Sequence, residues 1–156
     1  MKKSKLIILA AVLGITCAGS MPLFAADRGT LGEAKALLQK AAEHFKSVGR
    51  AQALTDFTGK KAPWVDRDLY VACIDKNHIA VANGAFPSYV GTLVDAVKDL
   101  EGKPLGQAGW DAVAATGFGV VKYRWFNPVT GQMEMKTSFN QKLDDNTICI
   151  VGAYTP

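Results

Sequence analysis

The chain predicts a mixed α/β fold of the α+β kind, a five-stranded antiparallel sheet with a long N-terminal helix across one face. Three observations predict it. An apolar stripe at helical spacing runs from Ala34 to Val48, two short strand-like runs follow between Leu69 and Asn83, and three longer ones alternate with turn residues between Val120 and Tyr154. A length of 156 residues suits one domain. A hydrophobic share of 49% against 21% charged residues excludes a disordered chain.

The first element is an export signal rather than part of the fold. Lys2, Lys3 and Lys5 precede an apolar stretch from Leu6 to about Ile15, and Pro22 and Leu23-Phe24-Ala25-Ala26 close it with small residues. Residues 1–25 are therefore expected to be a signal peptide cleaved after Ala25, with residues 26–156 as the single domain in the periplasm. An uncleaved membrane anchor is the competing reading, because Leu6 to Ala26 nearly reaches the length of a span. Lipidation at Cys17 is disfavoured, since Gly14-Ile15-Thr16 does not form a lipoprotein processing box. Removing three lysines and no acids leaves 15 basic against 14 acidic side chains, a net charge of +1. The sequence pI near 9.0 thus belongs largely to the signal and gives no support to a nucleic-acid partner.

Thr30-Leu31-Gly32-Glu33 has the spacing of a capping box and predicts a helix start. Ala34, Leu37, Leu38, Ala41, Ala42, Phe45 and Val48 then form one stripe; Gly49 bends or pauses the helix, and Ala51 to Phe57 continues it. Leu69 to Ile74 reads as a strand, Asp75-Lys76-Asn77-His78 as a tight turn with Asn77 suited to left-handed backbone, and Ile79 to Asn83 as the returning strand. Between Gly84 and Gly109, glycines and two prolines permit only short helical turns, expected at Val90–Val97 and Trp110–Ala115. This is the natural lid over a ligand. Val120–Phe126, Met133–Leu143 and Thr147–Tyr154 complete the five strands, joined at Asn127–Gly131 and Asp144-Asp145-Asn146.

Enzyme motifs are missing from the sequence. It contains no nucleophile-elbow, phosphate-loop, zincin or haem-attachment pattern, and Gly117-Phe118-Gly119 precedes a strand instead of a helix. No cofactor and no metal are expected. His44 reads as a boundary residue on the helix, His78 as a surface residue at a turn, and Asp99–Glu101 as a turn in preference to a cation site. Cys73 and Cys149 both lie in strand-like segments of the exported part. A disulfide and two buried thiols stand as equal alternatives.

Strand alternation supplies a binding constellation. Val121, Tyr123 and Trp125 share one face of their strand; Met133, Met135, Thr137 and Phe139 oppose Glu134, Lys136, Ser138 and Asn140 on the next. Placing the Met/Phe set under the helix leaves Lys136, Ser138, Tyr123 and Trp125 facing the lid, with Tyr70 as a further aromatic wall. A buried ammonium needs a counter-charge, which a small carboxylate can provide. The competing reading pairs Lys136 with Glu134 or Asp99 at the surface and makes the aromatics core. If the faces are reversed, Arg124 becomes the anion anchor.

Five motifs in order carry a resemblance: Asp68-Leu69-Tyr70; Asp99-Leu100-Glu101-Gly102-Lys103; Tyr123-Arg124-Trp125-Phe126-Asn127-Pro128; Lys136-Thr137-Ser138-Phe139; and Gly152-Ala153-Tyr154. Together, over Thr30 to Tyr154, the chain resembles the single Cache family of PAS-like extracellular sensor domains. The resemblance implies a ligand pocket beneath the insertion, for which small organic acids are common occupants. Family members usually precede a membrane helix and a signalling domain, whereas this sequence ends at Pro156. A partner such as a receptor or kinase ectodomain is therefore expected to report binding. The alternative is a protein-interaction module whose interior is filled by its own side chains.

Overall fold

The computed structural model describes residues 27–155. The expected signal peptide lies outside the described residues. Helix α1 spans Leu31–Val48, and its start is the predicted capping box: Thr30 Oγ1 accepts from the Glu33 amide at 3.2 Å, and the Glu33 carboxylate accepts from the Thr30 amide at 2.8 Å. The helix does not continue smoothly. Gly49 adopts φ 82°, a conformation that disfavours side chains, and α2 (Arg50–Thr58) begins after it as a separate helix. His44 Nε2 lies 2.7 Å from Asp56 Oδ2 and ties the two helices together, with its ring against Trp64 at 4.7 Å. His44 is thus a half-buried boundary residue, as its position predicts.

The predicted strand from Leu69 to Ile74 is two strands, because the chain changes partners at Val71. A short hairpin, β1 (Val65–Asp66) with β2 (Leu69–Tyr70), gives way to β3 (Ala72–Asp75) in the main sheet. At the switch the Val71 amide donates to Trp64 and its carbonyl accepts from Gly84. β4 (Ala80–Asn83) pairs antiparallel with β3. In the turn between them the left-handed residue is His78, φ 62°, and not Asn77.

The insertion holds two single 3₁₀ turns: Val94–Ala96 lies within the range Val90–Val97 where short helical turns are expected, and Pro87–Tyr89 lies just before it. Its helix α3 spans Leu105–Val113, beginning one residue after Pro104 and earlier than Trp110. Proline is well tolerated at a helix start, which explains the shift. β5 (Phe118–Phe126), β6 (Met133–Asp144) and β7 (Thr147–Thr155) form the meander.

The five-stranded antiparallel sheet has the order β4-β3-β7-β6-β5, so the first hairpin joins the meander through β3 and β7. Its two faces are covered differently. Against one pack α1 and α2, enclosing Leu38, Phe57, Val71, Cys149, Val151 and Ala153. Cys73 and Cys149 are directly opposed on β3 and β7 on this face and form a disulfide. The other face lies beneath the insertion and α3, where Ile74, Ile148 and Val113 form one cluster and Val121, Tyr123 and Ala108 another.

Candidate functional site

The site grows from β6. Residues directly opposite in an antiparallel pair share a face, and the register puts Tyr123 and Tyr154 on either side of Lys136. The Met/Phe set turns the other way: Phe139 packs on the helix-side core, while Met133 at the strand end is exposed. The surface pairing of Lys136 with Glu134 or Asp99 is therefore overturned. Lys136 is only 2% exposed, beneath the lid.

Its ammonium is surrounded by aromatic rings. Nζ lies 3.8 Å from the centre of the Tyr70 ring and 4.5 Å from that of Tyr154, and it donates to Tyr154 Oη at 3.3 Å. Tyr154 Oη in turn donates to the Phe126 carbonyl at 2.9 Å, which leaves Tyr70 as the donor in the 3.2 Å contact between the two hydroxyls. Ring faces are negative and attract a cation, but they do not replace a carboxylate. No ion pair to Lys136 occurs among the described residues. Burial consequently holds its pKa down at about 7, with the Asp68 charge drawing it partly back up. Burial also raises Tyr70 and Tyr154 well above the ordinary phenol value and pushes Tyr123 up to about 12.

Nearby acids are committed elsewhere. Glu134, on the same face of β6, makes a two-pronged pair with Arg28 at 2.5 and 2.9 Å and accepts from Asn127 and Thr130. The hydrogen bonds from Arg28 hold its carboxyl down at about 2. Asp68 is fully buried and accepts from the Gly29 amide at 2.7 Å and from Asn127 Nδ2 at 3.2 Å. Arg28, Asp68, Asn127 and Glu134 thus tie the segment before α1 to the end of the sheet. The sequence does not announce this network, since its partners lie as far as 106 residues apart.

A cavity of about 50 Å³ lies beside the ammonium, lined by Tyr70, Tyr89, Tyr123, Trp125, Lys136, Cys73, Asn83 and aliphatic residues from β3, β4, β7 and the insertion. Trp125 Nε1 is buried without a hydrogen-bond partner; it lies near the Tyr70 hydroxyl but makes no bond to it. Gly152 keeps the space open for Lys136, because a Cβ there would come within 2.8 Å of Lys136 Cε. Four of the five expected site residues, Tyr70, Tyr123, Trp125 and Lys136, line this cavity. Ser138 faces the same side outside the lining, its hydroxyl donating to the Val121 carbonyl at 3.1 Å. Tyr154, which sequence reading left out, contacts the ammonium directly; its register opposite Lys136 is the signal, and that requires the strand pairing.

The remaining candidates lie away from the cavity. Arg124 is on the opposite face of β5, exposed, and donates to the Met133 carbonyl at 3.0 Å, so the reversed-face reading fails. His78 is half-buried and pairs with Asp95 at 2.7 Å. Asp99 Oδ1 accepts from the amides of Glu101 and Lys103, making the expected turn. No cluster of metal-ligating residues occurs among the described residues.

Helices on one face of this sheet and an irregular lid on the other, over a buried cation, define a PAS-like sensor architecture. The chain belongs to the Single Cache domain 2 family, whose profile matches residues 28–155. Among solved structures, a methyl-accepting chemotaxis protein from Vibrio parahaemolyticus superimposes with a TM-score of 0.65 at 20% identity, covering 79% of this chain and 86% of that one. A periplasmic sensor domain of a chemotaxis protein gives 0.60 at 23% identity, covering 80% and 90%. A Cache chemosensory domain described in terms of carboxylic acid recognition gives 0.58 at 21%, covering 80% and 88%. At these identities the three establish the fold alone. Among curated protein sequences, none matches significantly.

Proposed function

We propose that this chain is an exported, periplasmic sensor domain that binds a small carboxylate and passes the signal to a partner, such as a receptor or kinase ectodomain. The observation that carries the reading is Lys136: a buried ammonium with no ion pair among the described residues, beside a cavity. An unpaired buried charge is costly, and a ligand carboxylate would supply the missing partner. Trp125, whose buried N–H has no hydrogen-bond partner, lines the same cavity and would supply a second donor. The reading is one of binding and not of bond making. The likeness to a domain described by its carboxylic acid recognition supports the same ligand class.

Thermal denaturation of the exported protein against small carboxylates, amino acids and amines, repeated with Lys136→Ala, tests this. Binding at a hundredfold excess over Kd adds about 2.7 kcal/mol, visible as a raised midpoint. A shift given by carboxylates and lost in the variant is expected. No shift with any compound would favour a protein-interaction module.

A further inference from the structure

The cavity at Lys136 is smaller than sites that enclose a complete organic ligand, which usually span roughly 300 to 1,000 Å³. It has a neighbour. An open trough of about 320 Å³ runs along the outside of the lid, lined by Leu93, Ala96, Val97, Phe126 and Met133 together with Tyr89, Val94 and Trp125. The last three also line the cavity, so the two spaces share a wall. Tyr89 and Trp125 meet edge to face in that wall, their ring centres 5.9 Å apart.

The trough is apolar where solvent reaches it. Leu93 is 55% exposed, Met133 53%, and Tyr89 and Phe126 42% each. Arg124 is the single charged residue along it, and no acid contributes to its lining. Large apolar side chains gathered on a surface mark a binding surface more often than chance placement. Here the occupant follows from continuity with the cavity. Tyr89 sits in a one-turn 3₁₀ segment and is held by ring contacts to Phe86 and Trp125, so the wall between the two spaces is made of side chains, Tyr89, Val94 and Trp125.

We propose that the trough is the tail subsite of the same ligand. The preferred acid carries an alkyl or aryl tail, which leaves the cavity between Tyr89 and Trp125 and lies over Leu93, Val97 and Met133. This rests on the carboxylate reading for the head group. It adds that the physiological ligand is amphipathic and that the lid closes around its middle.

The test is calorimetric titration of the purified protein with acetate, butanoate, hexanoate and octanoate, and with hexan-1-ol. Affinity is expected to rise roughly two- to fourfold per methylene, up to the value for complete burial of a CH₂ group. Hexanol should bind at least tenfold more weakly than hexanoate. Leu93→Glu and Met133→Glu, at residues more than half exposed to solvent, should abolish the length dependence and leave acetate binding unchanged. Acids that bind through Lys136 but weaken from butanoate onward would overturn the tail subsite and leave the head-group reading standing, as would a length dependence indifferent to both glutamates. Equal binding of hexanol and hexanoate with the length dependence kept would instead sink the carboxylate reading.

Discussion

Lys136 Nζ sits 3.8 Å over the Tyr70 ring, and among the described residues no carboxylate forms an ion pair with it. The two residues come from β6 and the small β1–β2 hairpin, so the contact also pins that hairpin against the main sheet. A charge held this way lowers the stability of the empty domain and makes the site selective for an anion. Lys136→Met removes the charge and keeps the stem's volume. The ligand-free variant should therefore melt at the same temperature as the parent or higher, while its affinity for carboxylates falls at least tenfold. A melt combined with a titration checks both, and a variant that is markedly less stable yet binds normally would contradict the assignment.

The same lysine makes binding depend on pH in a calculable direction. Its pKa is about 7 in the folded, empty domain, against an ordinary value of 10.5, because burial disfavours the ammonium. A carboxylate ligand requires the protonated form. Affinity should be flat below about pH 6, where Lys136 is charged and ordinary acids stay ionised, and should fall by up to roughly tenfold per pH unit above 7. Stability of the empty domain runs the opposite way. Between about pH 7 and 10 the unfolded lysine holds a proton that the folded one has lost, so stability rises with pH there and is lost again as pH falls towards 7. Above about pH 10 the trend reverses, since Tyr70, Tyr123 and Tyr154 have raised pKa values and ionise in the unfolded chain first. Urea titrations across this range should show the rise in the parent and not in Lys136→Met.

How much of this was legible in the sequence depends on the range of the interactions. The capping box at Thr30 and the stripe from Ala34 to Phe45 are local, and both appear in α1 as read. Strand alternation, also local, sorted Lys136 from Phe139 correctly and brought Tyr123 and Trp125 to the lid side. What required register was out of reach. The break at Val71 follows from a hydrogen bond to Trp64, and the place of Tyr154 beside Lys136 follows from how β6 and β7 align. The pairing of Arg28 with Glu134 closes across nearly the whole domain, with no sequence pattern to announce it.

That long-range network makes its own prediction. Asn127 is buried at the end of β5, donating to Asp68 and Glu134, while its Oδ1 accepts from the amides of Val129 and Thr130 in the following turn. Asn127→Ala strips a donor from two carboxylates, one fully buried, and an acceptor from the turn. Leaving buried polar groups unpaired costs about 1 to 3 kcal/mol each, so a loss near the upper end of that range is expected in urea denaturation. Asn127→Asp should be worse, because it adds a third negative charge beside Asp68 and Glu134. Equal stability of Asn127→Asp and the parent would show that Arg28 offsets the added charge and that repulsion among the carboxylates does not limit this cluster.

The disulfide ties the first hairpin to the last strand. Cys73 and Cys149 are fully buried and 76 residues apart in sequence; both pack in the core under α1, and Cys73 also borders the cavity beside Lys136. Constraining so long a loop in the unfolded chain is worth about 4 kcal/mol on the chain-entropy account. Cys73→Ala with Cys149→Ala should therefore unfold at a substantially lower urea concentration, with the slope of the transition altered because the unfolded chain expands. The position on the helix side separates stability from binding. At temperatures where the double variant is still folded, its affinity for the carboxylates that bind the parent should be unchanged within about twofold, since the ring wall around Lys136 belongs to the other face of the sheet. A large loss of affinity in folded double variant would mean that the disulfide sets the strand register on which the Lys136–Tyr154 contact depends.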